Sequence, residues 1–118
     1  MPNPFGIPEI SVQEVAEKRA NGDVFVLLDV REPHELWQAN LGEGVELAPL
    51  SEIAARRLDA LPASLADKDT EIIVMCHHGN RSAQVAAWLE DQGWTNVYNM
   101  EGGIEAYAIE VDPSVGLY

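Results

Sequence analysis

An α/β domain with a mainly parallel central sheet and helices on both faces is the fold class the sequence predicts, on three observations. Residues 24–30, 71–76 and 97–100 are short, nearly continuous apolar runs rich in β-branched residues, the pattern of strands buried on both sides. Segments with helical spacing lie between these runs, and such alternation implies βαβ units and therefore parallel pairing. The 118 residues are 47% hydrophobic and 23% charged, which suits one domain with a real core rather than a disordered chain. No repeat or linker divides residues 1–118.

The elements follow in order. Residues 1–9 form an extended lead punctuated by Pro2, Pro4 and Pro8, with no basic residue ahead of an apolar run, so it lacks the form of a signal peptide. Ser11 and Glu14 match the S-x-x-E capping box, and Val12, Val15 and Ala16 keep helical spacing until Asn21-Gly22 supplies a stop. After the strand at 24–30, residues 35–40 read as one or two helical turns, 42–44 as a loop and 45–47 as a short strand. Residues 51–61 repeat the helical pattern through Ile53, Ala54, Leu58 and Leu61, ending at Pro62. The strand at 71–76 precedes a helix over 82–92, with Val85, Ala86 and Leu89 on one face and Gly93 at its end. A third strand at 97–100 leads into a Gly102-Gly103 turn, which permits positive φ and close backbone approach, and a last short helix through Tyr107.

Charge and cysteine content narrow the function. Twenty acidic against seven basic side chains give a net charge of −13, which opposes binding to nucleic acid or to an anionic membrane surface. No apolar stretch approaches the roughly 18 residues of a membrane helix, and a cytoplasmic location is the expectation. A single cysteine excludes an intramolecular disulfide, a Cys-rich zinc site and a dithiol pair. The one thiol is therefore either inert filler or a reactive centre.

Its context favours the second. Ligands of open α/β sheets bind beyond the carboxyl ends of the strands, and the segment Cys76-His77-His78-Gly79-Asn80-Arg81-Ser82 occupies that place. The sheet fixes the cysteine, and Gly79 lets the polar loop curl so that backbone N–H groups turn inward as an anion nest. The following helix adds its positive end and Arg81 a full charge, all of which stabilise a thiolate over a thiol. A buried free cysteine often behaves as a small hydrophobe, but a core segment would not continue so polar. His77 and His78 are adjacent, a poor arrangement for one metal ion, and are expected to line the loop mouth without a metal.

The loop Cys76–Ser82 resembles the active-site loop of the rhodanese family of sulfurtransferases. Leu28-Asp29-Val30-Arg31-Glu32, with Pro33-His34-Glu35 after it, is similar to that family's motif behind its early strand, and 96–104 to its last strand and double-glycine turn. The tail from Glu110 to Tyr118 is similar to that of rhodanese domains fused to adenylating enzymes for sulfur carriers. The chain departs from the family at 40–45, where members commonly carry a His-Ile-Pro-Gly-Ala type segment, and at Tyr107, where a Trp is usual.

The resemblance implies a single rhodanese-like domain over 1–118, catalysis without a cofactor, and sulfur transfer through a Cys76 persulfide. The donor would be thiosulfate, another small anionic sulfur species or a persulfidated protein, and the acceptor a thiol or cyanide. It implies that the loop amides of His77 through Arg81 stabilise the persulfide charge and that Arg81 meets the donor's sulfonate or stabilises the departing anion. Asp29 and Arg31 are expected to brace the site, Asp29 on the loop's N–H groups and Arg31 on an acidic neighbour. Trp37, Trp88 and Trp94 read as core or rim packing, with Trp37 alternatively at the border of the entrance. Two alternatives stay open: a non-catalytic binding or regulatory module, and a cysteine phosphatase or arsenate reductase. The latter is disfavoured because four residues separate Cys76 from Arg81, a loop one residue shorter than the related phosphatases use, and no second cysteine is present. The acidic surface around a locally positive site points to a basic partner protein.

Overall fold

A computed structural model describes residues 3–118. Five strands, β1 (Glu9–Ile10), β2 (Val26–Asp29), β3 (Val45–Leu47), β4 (Ile72–Met75) and β5 (Val97–Met100), form one sheet in the order β1-β5-β4-β2-β3. Every pairing is parallel. Four α-helices, α1 (Val12–Ala20), α2 (Leu50–Arg56), α3 (Asn80–Asp91) and α4 (Gly103–Glu110), supply the crossovers together with 3-10 turns.

Alternation along the strands divides the core into two layers. Leu28, Val30, Ile72, Val74 and Val97 pack with Ile53 of α2 and with Val85, Ala86 and Leu89 of α3. Leu27, Ile73, Met75 and Met100 point the other way, onto Val12 and Val15 of α1 and Ile104 and Tyr107 of α4. All four residues of β4 are fully buried, which is why that run shows no polar alternation.

Ser11 caps α1 as its motif predicts, accepting a hydrogen bond from the Glu14 amide at 3.1 Å. Other boundaries differ from the sequence reading. The turns expected at 35–40 are a 3-10 helix over Pro33–Trp37, opened by Pro33 at its first position. The helix expected over 51–61 stops at Arg56, because Arg57 takes φ 56°, ψ −129°, and 3-10 turns carry the chain onward. α3 begins two residues before Ser82, at Asn80, and α4 runs on to Glu110. The extended lead ends in edge strand β1, whose residues Glu9 and Ile10 pair with Asn99 and Met100; the first two residues of the lead lie outside those described. Among the described residues no helix is long and apolar enough to cross a membrane.

Candidate active site

Cys76 directly follows β4, the middle strand of the sheet, so its backbone is held by β2 on one side and β5 on the other. Cys76 is 1% exposed. Gly79 takes φ 102° as the residue before α3, a conformation that only glycine adopts without strain, and this turns the chain back over the cysteine. Its N–H then lies 3.1 Å from Sγ, the Ser82 N–H 3.4 Å and the Ser82 hydroxyl 3.3 Å. Of the expected nest, the Gly79 amide reaches the sulfur, joined by the first turn of α3.

The double glycine fixes the loop from the other side. A side chain at Gly103, φ 64°, would occupy the space of the His77 and Cys76 carbonyls. Those carbonyls accept from the first amides of α4: Ile104 N–H to Cys76 O at 2.9 Å and Glu105 N–H to His77 O at 3.1 Å. The close backbone approach expected of Gly102-Gly103 is thus a clamp between α4 and the loop.

Arg81 lies differently from the expectation. Its guanidinium makes a two-pronged pair with Glu35, Nη1 to Oε2 at 2.7 Å and Nη2 to Oε1 at 2.9 Å. That pairing holds the Glu35 carboxyl well below its ordinary range, at about 2, helped by the Glu32 amide and the Tyr118 hydroxyl against the cost of burial. The same bonds push the guanidinium further up from its usual value. The positive charge near Cys76 is therefore already compensated. Glu35 was missed by the sequence reading, although Glu32-Pro33-x-Glu35 has the spacing of a capping box with proline at the first helical position, and both halves of that box form.

Asp29 also departs from the expectation, because it does not touch the loop amides. Its carboxylate accepts from the Arg31 backbone and guanidinium, the shortest contact being Nη2 to Oδ2 at 2.7 Å. An aspartate two residues before a buried arginine closes this local ring and leaves no acceptor free for the loop. Arg31, 0% exposed, reaches the Glu35 carbonyl at 3.3 Å and the Tyr118 hydroxyl at 3.1 Å, and Tyr118 donates to Glu35. Bracing thus runs from Asp29 through Arg31 to the turn carrying Glu35, and only then to Arg81.

On the loop after Cys76, His77 is half-buried and His78 exposed. The ring of His77 is sandwiched between His78 and Tyr118, with centroids 3.8 and 3.7 Å away. His78 Nε2 lies 3.2 Å from Glu105 Oε2. His77, His78 and Glu105 bring one ligand atom each within 4.8 Å of one another. The histidine planes are tilted by only 21°, and lone pairs lie in the ring planes, so the two nitrogens do not converge on one ion. Asn80, exposed, lines a cleft of about 320 Å³ with Arg81, Pro4 and Phe5. Trp37 is 91% exposed, two residues from Glu35, whereas Trp94 is core, its indole N–H donating to Leu65 O at 3.0 Å.

This arrangement can hold an anionic sulfur at a strand end under two backbone donors. The model of the rhodanese-like domain family matches residues 11–110. The rhodanese-like/PpiC domain-containing protein 12, chloroplastic, of Arabidopsis thaliana is 40% identical over 115 residues, which are 95% of this chain but 38% of that protein. The chain therefore spans well under half of the plant relative. The thiosulfate sulfurtransferase GlpE of Ectopseudomonas mendocina is 34% identical over 102 residues, covering 83% of this chain and 82% of that one. The crystal structure of a rhodanese-related protein from Thermoplasma volcanium superposes with a TM-score of 0.68 at 28% identity, covering 88% of this chain and 93% of the other.

Proposed function

The chain belongs to the rhodanese-like domain family, whose named relatives include sulfurtransferases, and from that premise we propose that it moves sulfane sulfur through a persulfide on Cys76. The observation that carries this reading is the sulfur itself, fixed at the end of β4 with the Gly79 and Ser82 amides within 3.4 Å. Positive ends of N–H dipoles around a sulfur favour its anionic forms and so the attacking species.

In the first half-reaction Sγ attacks the outer sulfur of the donor. With thiosulfate, the bond between the two donor sulfurs breaks and sulfite leaves with the electron pair. In the second, an acceptor thiolate attacks the outer sulfur of the persulfide and Cys76 departs as thiolate. The loop amides stabilise the charge that forms on the outer sulfur, an electrostatic role. Arg81, a third exposed, stands beside the loop as half of a neutral pair with Glu35 rather than as a mobile hand on the donor.

The physiological donor or acceptor is a protein with a basic face. Supporting this are the net charge of −13 and the apolar groups beside the site. The tail lies along the Glu35 turn, Asn40 N–H bonding Val115 O at 2.9 Å and Tyr118 bonding Glu35, and each of the two segments exposes an apolar side chain, Leu117 at 59% and Trp37 at 91%. Aromatic and aliphatic side chains exposed together are the usual anchors of such contacts.

The test is single-turnover loading. Incubation with thiosulfate, or with a persulfidated protein, is expected to add one sulfur atom to the wild-type chain by intact-mass spectrometry, reversed by a thiol. Cys76→Ser should gain nothing. A wild-type chain unmodified by either donor, or a Cys76→Ser chain that still gains sulfur, would overturn the reading and leave a binding module.

A further inference from the structure

We propose that Asn99, on β5, is a positioning residue for Cys76 that keeps the Ser82 hydroxyl proton away from the sulfur until the sulfur is anionic. The proposal rests on Cys76 being the reacting thiol. Asn99 is 2% exposed and Ser82 0%, so their hydrogen bonds can be accounted for completely. One end of the Asn99 amide lies 2.8 Å from Glu9 Oε2 and 3.1 Å from the Gly79 carbonyl. Both of those atoms only accept, so that end is Nδ2 and both its hydrogens are engaged. The other end, Oδ1, faces Ser82 Oγ at 2.5 Å and has no hydrogen to give. Ser82 must therefore donate to it.

A hydroxyl has one proton. With that proton on Asn99, Ser82 presents a lone pair to Sγ at 3.3 Å, and the thiol completes a chain: Cys76 S–H to Ser82 O–H to Asn99 Oδ1. When the sulfur loses its proton to solvent, two lone pairs would face each other. The Ser82 hydroxyl then swings to donate to sulfur, and buried Oδ1 is left without a donor. No proton is transferred along the chain; one leaves the sulfur and one rotates. In the persulfide the charge sits on the outer sulfur, the inner one is a weak acceptor, and Ser82 can return to Asn99. Asn99 thus favours the thiol and the persulfide over the bare thiolate between them. Through its Nδ2 bond it also holds the Gly79 carbonyl, and so the turn that aims the Gly79 N–H at sulfur.

Other charged and titratable groups surround the sulfur: Arg81 with Glu35 of the 3-10 turn, His77 and His78 with Glu105 of α4, Asp29 with Arg31 after β2, and Glu9 of β1 behind Asn99. Asn99 variants leave all of them in place, and Cys76 is the only thiol, so alkylation by iodoacetamide against pH reads this site alone.

In Asn99→Leu the Ser82 hydroxyl loses its Asn99 acceptor and turns to the sulfur at 3.3 Å. Alkylation on the rising limb of the profile is expected to be about five- to tenfold faster, with the profile displaced to lower pH, the size of one hydrogen bond. In Ser82→Ala the same Asn99→Leu change should displace nothing. A purely structural role would loosen the loop, weaken the Gly79 N–H donation to the sulfur and move the Asn99→Leu profile to higher pH. That result, no displacement in Asn99→Leu, or an equal displacement without the Ser82 hydroxyl would overturn the proposal. Alkylation does not require sulfur transfer, so failure of thiosulfate loading and failure of this inference are separate outcomes.

Discussion

Glu35 shows how one side chain can carry the geometry of a site without touching its reacting atom. It receives Arg81, Tyr118 and the Glu32 amide, and its carboxyl titrates at about 2 in the fold against 4.5 ordinarily. A folded value below the unfolded one means stability that is present above about pH 4.5 and lost as pH falls toward about 2. Glu35→Gln is therefore expected to lower stability near neutral pH by about 1.5–3 kcal/mol, as for hydrogen bonds to charged groups. Its thermal unfolding midpoint should converge on that of wild type as the pH drops from 4.5 to 2. A gap that stays constant across that window would refute the assignment.

At the scale of elements, the site is a junction of β4, the loop, α3 and α4, closed by glycines whose roles differ. Gly103 takes φ 64° with carbonyl oxygens where a side chain would go; Gly22 takes φ 71° with nothing within 4 Å. Gly22→Ala should cost about 1 kcal/mol, the backbone term alone. Gly103→Ala should cost at least about 2 kcal/mol more, because the α4 amides can no longer sit on the loop carbonyls. Urea unfolding of the two variants compares them directly, and equal losses would show that the clamp is not tight. Element boundaries were legible where a side chain sets them, as Ser11 does for α1, and not where backbone conformation does, as at Gly79 and Arg57.

For the whole molecule, the acidic balance acts on encounter rather than on folding. A thiosulfate dianion must approach a surface of net charge −13, while the cation beside the site is neutralised by Glu35. Loading of Cys76 by thiosulfate is expected to speed up between about 10 and 150 mM salt as screening shortens the repulsion. A rate that falls or stays level would show that local donors, not the surface field, govern entry.

The sequence by itself determined the fold class, the alternation of strands and helices, and Cys76 with its loop. Those features live in local periodicity, in glycines with a conformation only they can adopt, and in a contiguous motif. Only the tertiary structure decided what holds the motif in place. Arg81 and Glu35 are 46 residues apart and Ser82 and Asn99 17 apart, joined because the strand order sets β4 between β2 and β5. Asp29 was read as serving the loop because it ends the neighbouring strand. Arg31, two residues on and buried, bonds its carboxylate first, and a burial of that kind has no local signature in the chain. The proposed nucleophile is legible from its neighbours in sequence; the Ser82–Asn99 and Arg81–Glu35 pairs beside it are brought together only by the fold.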